Sequence, residues 1–304
     1  MIFKKKKNYS DVEFQESFLP HNRKEELRFI FRNRKGLLLG MGGIFVLFSL
    51  PLLVTFLLRD FYLSRSYNLL LEGAITEEQF NGFINTNNLL FSLIAVVCIF
   101  ILTIAFAGLF QIYKKLTFGE PVFFWYDFKK GLKNNIKPFL LISLILSIFI
   151  SIFAVLFFFF GYYFWILIAL GFFVLLILPI IVNMYFYSGL YSGSAKQVIA
   201  NSLQLFLTAH FKGLVIFLGI IFIPVVSNIL SFFLVITPAV NEFILMAFIF
   251  FLFPTFLLMQ YLFCFSIFDE KINRVFFPDK YKIGLYNPKE KKGDSSNNEN
   301  KVSK

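Results

Sequence analysis

Apolar positions in this chain run on without interruption instead of alternating, and charges fence the runs. Residues 37–58 carry no Asp, Glu, Lys, Arg or His between Lys35 and Arg59, and neither do residues 89–113, which end at Lys114 and Lys115. A helix needs about 20 such residues to cross a hydrocarbon core of about 30 Å. From Phe139 to Ala195 there are 57 residues without a charge, room for two spans, 139–160 and 164–187, turning near Gly161, Tyr162 and Tyr163. Two more runs, 213–236 and 243–268, flank a Thr237-Pro238 turn and Glu242. The pattern predicts an all-α polytopic membrane protein with six transmembrane helices arranged as three hairpins over residues 37–268. A basic segment, 1–36, precedes this domain. A basic tail, 269–304, comes after it and is polar enough to be disordered from about residue 288.

Composition supports the same class. The 304 residues are 58% hydrophobic and 15% charged, with 47 Phe, against about 45 to 50% apolar and about 25% charged in soluble domains. A soluble globule, a disordered chain and a disulfide scaffold are excluded on that count. The net charge of +11 would point to nucleic acid in a soluble protein. Here only Arg59 and Arg65, of 29 Lys and Arg, fall in the expected outer loops 59–88, 161–163 and 237–242. Basic residues resist translocation, so both termini are expected in the cytoplasm, the bilayer is the expected partner, and no nucleic-acid partner is expected. Tyr162, Tyr163 and Trp165 fall at the outer boundary, where amphipathic rings favour the headgroups. The first 36 residues show no apolar core of a cleavable signal peptide.

A polar or amphipathic stretch precedes each hairpin, at 23–35, 121–137 and 196–211, as in a loose threefold repeat. In the middle copy Trp125, Phe128, Leu132 and Ile136 recur at helical spacing beside Lys129, Lys130, Lys133 and Lys137, the pattern of a helix lying in an anionic interface. Pro121 suits its first turn, and Pro138 is expected to break it from the next span. In the third copy Ile199, Leu203 and Phe206 share one face. The middle stretch reads either as an anchor that steadies the turn between spans or as a docking surface for a membrane or cytoplasmic partner, because Trp is enriched in both settings.

The spans lack Asp, Glu, Lys, Arg and His, which argues against a proton relay or an intramembrane protease. The chain has no metal-binding, nucleotide-binding or nucleophile motif and only two His, His21 and His210. Catalysis, a cofactor and a metal are therefore not expected. Cys98 and Cys264 read as small core residues. Asn183, Asn228 and Gln260 read as hydrogen-bonding glue between helices, or alternatively as the lining of a path for a small neutral solute. Ser143, Ser147 and Ser151 form a small-residue stripe suited to close packing. Gly36, Gly40 and Gly43 make at most a weak packing motif.

The segment 103–138 carries Gly119, Glu120, Trp125, Phe128, Lys133, Asn135 and Lys137 at intervals that resemble the pattern of the YesL-like family of bacterial membrane proteins. Ser49, Leu50, Pro51 and Thr55 look similar to a second family motif, and Asn201 and His210 to its polar pair in the second cytoplasmic segment. Pro51 and Thr103 lie farther apart here than the family pattern has them. The resemblance implies a protein of the bacterial cytoplasmic membrane, connected with carbohydrate uptake, with no established reaction. Gly119, Glu120, Trp125, Asp127, Phe128, Lys133, Asn135, Lys137, Asn201 and His210 are thus candidate interfacial or docking residues. The expected role is that of a non-enzymatic accessory or organising component, with a transporter subunit or facilitator as the alternative.

Overall fold

A computed structural model describes residues 20–161, 163–191, 193–234 and 238–286. Among these residues the chain is all helical, with no strand. The elements are α1 (Arg23–Asn33), α2 (Lys35–Leu71), α3 (Glu77–Thr117), α4 (Phe124–Phe160), α5 (Phe164–Phe172), a π turn (Phe173–Ile177) and α6 (Leu178–Leu190). They continue with α7 (Ala195–Leu234), α8 (Pro238–Phe251), α9 (Phe253–Phe268), a second π turn (Asp269–Asn273), α10 (Arg274–Phe276) and a 3-10 turn (Pro278–Lys280). Lys35–Leu71, Glu77–Thr117, Phe124–Phe160 and Phe164–Leu190 are each long and apolar enough to cross a membrane. Val240–Phe251 and Phe253–Phe276, bent by 45° at their junction, make a fifth such unit if taken together. The expected run 213–236 lies in α7 and extends past the described residues, as does the tail from residue 287.

The helices are longer than their apolar runs. At 1.5 Å per residue, the 37 residues of α2 extend about 55 Å, well beyond a hydrocarbon core of about 30 Å. Most of the expected outer loop, 59–88, is therefore helix, and only the turn between α2 and α3 is not. Thr76 and Gln79 close that turn with a capping box. At the other end α4 runs through Pro138 without the expected break, and the stretch 196–211 is continuous with the next run in α7. The expected turn after residue 160 is present: α4 ends at Gly161, whose φ of +63° suits a residue without a side chain.

Packing follows from backbone proximity and rings. The most extensive helix pair is α3 with α4, and α2 packs on both α3 and α8. Phe110 of α3 lies at the centre, with ring centroids 5.4 Å from Phe139, 5.9 Å from Phe186 and 5.2 Å from Tyr261. A Cβ at Gly189 would stand 2.2 Å from the Phe110 ring, so this glycine provides the space for it. Hydroxyls join the same helices: Ser143 is hydrogen-bonded to both Thr103 and Tyr185, the latter at 2.6 Å.

Proline accounts for the bend between α8 and α9. Pro254 has no N–H to donate to the carbonyl four residues before it, that of Phe250. The Phe250 carbonyl instead lies against Gly42 of α2, where a Cβ would come within 2.0 Å of its oxygen. Tyr113 Oη donates to the Pro254 carbonyl at 3.0 Å. Gly42, rather than the motif glycines, is thus the point of closest approach: Gly36 has no neighbour there, and Gly43 meets only the Phe250 ring at 3.8 Å. Gly42→Ala should lower stability by about 1 to 3 kcal/mol, the range for overpacking. Gly43→Ala should melt like wild type, as read by thermal unfolding in detergent.

Candidate functional site

The two ends of the bundle differ in charge, and the basic end holds the candidate residues. There α3 terminates at Phe118 with a Schellman motif: Gly119 N–H donates to the Leu116 carbonyl at 3.3 Å and Glu120 N–H to the Lys115 carbonyl at 3.0 Å. Gly119 occupies the left-handed position at φ +70°. Asp127 then fastens the start of α4. Its Oδ2 accepts from Phe123 N–H at 2.7 Å, and Lys115 Nζ lies 2.8 Å from its Oδ1. The carboxylate is fully buried.

The structure divides the candidate residues of this segment into two sets. Asp127, Phe128 and Asn135 face α3. The Phe128 ring lies over Gly108, Gly131 lies against the Ala107 and Gly108 carbonyls, and Asn135 Nδ2 donates to the Ala107 carbonyl at 3.1 Å. Glu120, Trp125, Lys133 and Lys137 are exposed. Trp125 is 62% exposed and meets the Phe124 and Phe128 rings edge-on, with Phe123 and Tyr126 equally open beside it. Lys129 and Lys130 extend this face.

Asn201 lies elsewhere, on α7, where its Nδ2 donates to Tyr187 Oη at 2.7 Å. It borders a cleft of 580 Å³ between α7 and the segment from α9 to α10. The side chains of His210 and Asn228 lie outside the described residues. Asn183 and Gln260 are brought together through Cys264, whose thiol donates to Asn183 Oδ1 at 3.3 Å and accepts from Gln260 Nε2 at 3.7 Å. All three are buried. Cys264 is thus a bridging group as well as a core residue.

A buried ionic cluster escaped the sequence reading. Arg23 Nη1 donates to Glu26 Oε2 and its Nη2 to Asp269 Oδ2, both at 2.8 Å. The guanidinium also lies over the Phe265 ring, 4.4 Å from its centroid. Asp269 Oδ1 accepts from Asn273 Nδ2 at 2.9 Å and from Lys282 N–H at 3.2 Å, and Tyr191 Oη donates to Asn273 Oδ1 at 2.7 Å. The chain after the second π turn closes over this cluster: Gly284 packs on the Thr117 carbonyl, and Tyr286 N–H donates to the Pro20 carbonyl at 2.9 Å. The one available signal was Asp269, an acid placed directly after an apolar run at the head of the basic tail. Its partner lies 246 positions away, and sequence pattern does not convey that distance.

Two carboxylates share one guanidinium here, and Glu26 Oε1 has no partner. Burial pushes the Glu26 carboxyl up to about 7; Arg23 opposes the shift and Asp269 adds to it. Burial likewise raises the Tyr191 phenol. Among the described residues no three His, Cys, Asp or Glu side chains meet in a way that would hold a metal. The chain matches no family model, no curated protein and no solved structure.

A carboxyl whose value is higher folded than unfolded binds its proton more readily in the native state. Stability therefore rises as pH falls from about 7 toward the ordinary carboxylate range and is lost as pH rises. From pH 8 to pH 6 the gain should be about 1 kcal/mol, seen as a higher melting temperature. Glu26→Gln should flatten that dependence. A variant that kept the wild-type slope would assign the titration to another group.

Proposed function

We propose that the protein is a six-span, non-enzymatic component of the bacterial cytoplasmic membrane, with its basic end in the cytoplasm, that serves as an accessory to a membrane-protein partner. The observation that carries this reading is the division of α4. One side of its first four turns is consumed by the seam with α3, while the opposite side leaves Trp125 and Tyr126, with Phe123 just before the helix, and four lysines exposed. Exposed Trp and Tyr beside cations are the residue types that dominate binding hot spots.

The spans support the non-enzymatic part of the reading. They contain amides and hydroxyls instead of acids or bases, and Asn183, Gln260, Ser143 and Thr103 are occupied in bonds between or along helices. Such bonds hold transmembrane helices together at about 0.6 kcal/mol each. The likeness of 119–137 to the YesL-like pattern agrees with a membrane accessory. In that pattern the Gly and the first Asn correspond to residues that build the turn and the seam here, and the Trp and Lys positions correspond to the open face.

Orientation is tested by single cysteines at exposed positions, since Cys98 and Cys264 are buried. Glu78→Cys should react with an impermeant thiol reagent in intact cells, and Asn134→Cys only after lysis; the reverse pattern inverts the proposed topology. For docking, Trp125→Ala should change stability by about 0.5 kcal/mol or less, as at open surface sites, yet lose a stoichiometric partner in affinity purification. A variant that melts early and keeps its partner would make the segment a membrane anchor instead.

A further inference from the structure

The cleft beside Asn201 has a chemistry that the docking face lacks. Its α7 wall presents Gln197, Asn201, Gln204 and Thr208, spaced by four, three and four residues, so that they form one stripe along the helix. The opposite wall is apolar, with Ile272, Phe276 and Phe268 among its residues. Among the described residues, Lys271 is the only charged side chain that lines the cleft, and it is exposed.

Two local motifs hold the walls in place. Ser194 and Gln197 cap α7 reciprocally: the Gln197 side chain accepts from Ser194 N–H at 2.9 Å, and Ser194 Oγ accepts from Gln197 N–H at 3.4 Å. On the facing side, the second π turn points Asp269 and Asn273 into the buried ionic cluster. Lys271, midway between them, is left at the cleft. A π turn inside an otherwise α-helical segment often marks a functional site. Asn201 spends its Nδ2 on Tyr187 and keeps its carbonyl oxygen as an acceptor.

From this arrangement we infer that the cleft binds a phosphate ester of a small polyol, of the glycerophosphate class, either as the headgroup of an anionic phospholipid or as the free ester. The carboxamides of the stripe both donate and accept, and the Thr208 hydroxyl, whose proton goes to the Gln204 and Leu205 carbonyls, adds an acceptor, which together match the dual character of alcohol groups. A single ammonium matches the single charge of a lipid phosphodiester and offsets part of the charge of the free monoester, and there is no carboxylate among the described lining residues. The apolar wall receives the C–H face of the polyol. The volume of 580 Å³ falls within the range of small-molecule sites, about 300 to 1,000 Å³. Only the lipid source rests on the six-span reading; the chemistry of the cleft stands without it.

The test uses the full chain purified in a non-ionic detergent, with the melting temperature measured during titration with four probes. They are short-chain phosphatidylglycerol, short-chain phosphatidylcholine, glycerol 1-phosphate and glycerol. Phosphatidylglycerol should raise the melting temperature saturably, whereas phosphatidylcholine and glycerol should not. A matching response to glycerol 1-phosphate assigns the free ester as a ligand, and a response confined to phosphatidylglycerol assigns the lipid. Lys271→Gln and Gln204→Leu should each weaken the apparent affinity by about tenfold, the effect of losing one hydrogen bond to a charged group. Lys271→Arg should retain it. The inference is overturned if neither glycerophosphate probe gives a saturable shift, if phosphatidylcholine works equally well, or if both loss variants bind like wild type. Inverted cysteine labelling would leave these results unchanged, so failure of the topology and failure of the site can be told apart.

Discussion

The carbonyl of Ala107 is the contact on which the basic end of this bundle is built. Gly131 lets α4 come against it, Asn135 donates to it, and the Phe128 ring fills the space that Gly108 leaves open beside it. In lipid, apolar side chains gain little by meeting one another, so helices associate through close backbone approach and hydrogen bonds. The α3–α4 seam uses both means, and it does so where α4 has not yet entered its apolar run. The Gly119 turn and the Asp127 clamp then set how α4 leaves α3. Ser143 with Tyr185 and Phe110 with Gly189 join α6 to this pair, and Phe110 with Tyr261 joins α9.

Polarity is divided by depth. Within the apolar runs the polar side chains are neutral and meet in small groups, as Asn183, Cys264 and Gln260 do. Ionic groups are confined to the ends, where water or a counter-charge is within reach. Even there burial carries a cost. Arg23 is enclosed with two carboxylates, Glu26 and Asp269, and burial, which the guanidinium only partly offsets, is why Glu26 holds its proton toward neutrality. A buried pair of this kind is weak evidence for stability but good evidence for register. It joins α1 to the end of α9 across almost the whole chain.

Particular elements show what the sequence could convey. The charge fences marked the apolar runs, because these depend on the transfer free energy of single side chains, while the turn at Gly161 followed from a charge-free stretch too long for one span. The same count underestimated the helices. Outside the apolar runs α2, α4 and α7 continue, since their backbone bonds are satisfied within the helix whatever solvent surrounds it. Pro138 did not end α4, although a proline removes a donor from the ladder. Gly36, Gly40 and Gly43 read as at most a weak packing motif, and the close approach falls instead at Gly42, because the deciding partner is the Phe250 carbonyl released by Pro254 more than 200 residues away. The seam residues Asp127, Phe128 and Asn135 could not be distinguished from the open residues Trp125 and Lys133 by spacing alone, because spacing does not say which face meets α3.

The second π turn ties the two features of the basic end together. A π turn carries one residue more per hydrogen-bonded loop than an α turn, so it rotates α10 and the residues beyond it relative to α9. Asp269 and Asn273 face the Arg23 cluster, while Lys271 between them faces the cleft on the opposite side of the same short segment. The cluster therefore fixes the height and direction of one wall of the cleft. Tyr187 and Tyr191, one helical turn apart, hold the other side: Tyr191 bonds to Asn273 in the cluster and Tyr187 to Asn201 in the amide stripe. A ligand that binds only the formed cleft must stabilise the segment that carries Asp269, and loosening that segment must weaken the ligand by the same free energy. The chain thus closes its basic end with a buried ionic contact and, by the geometry of that closure, leaves a cleft with one amide wall, one apolar wall and a lysine between them.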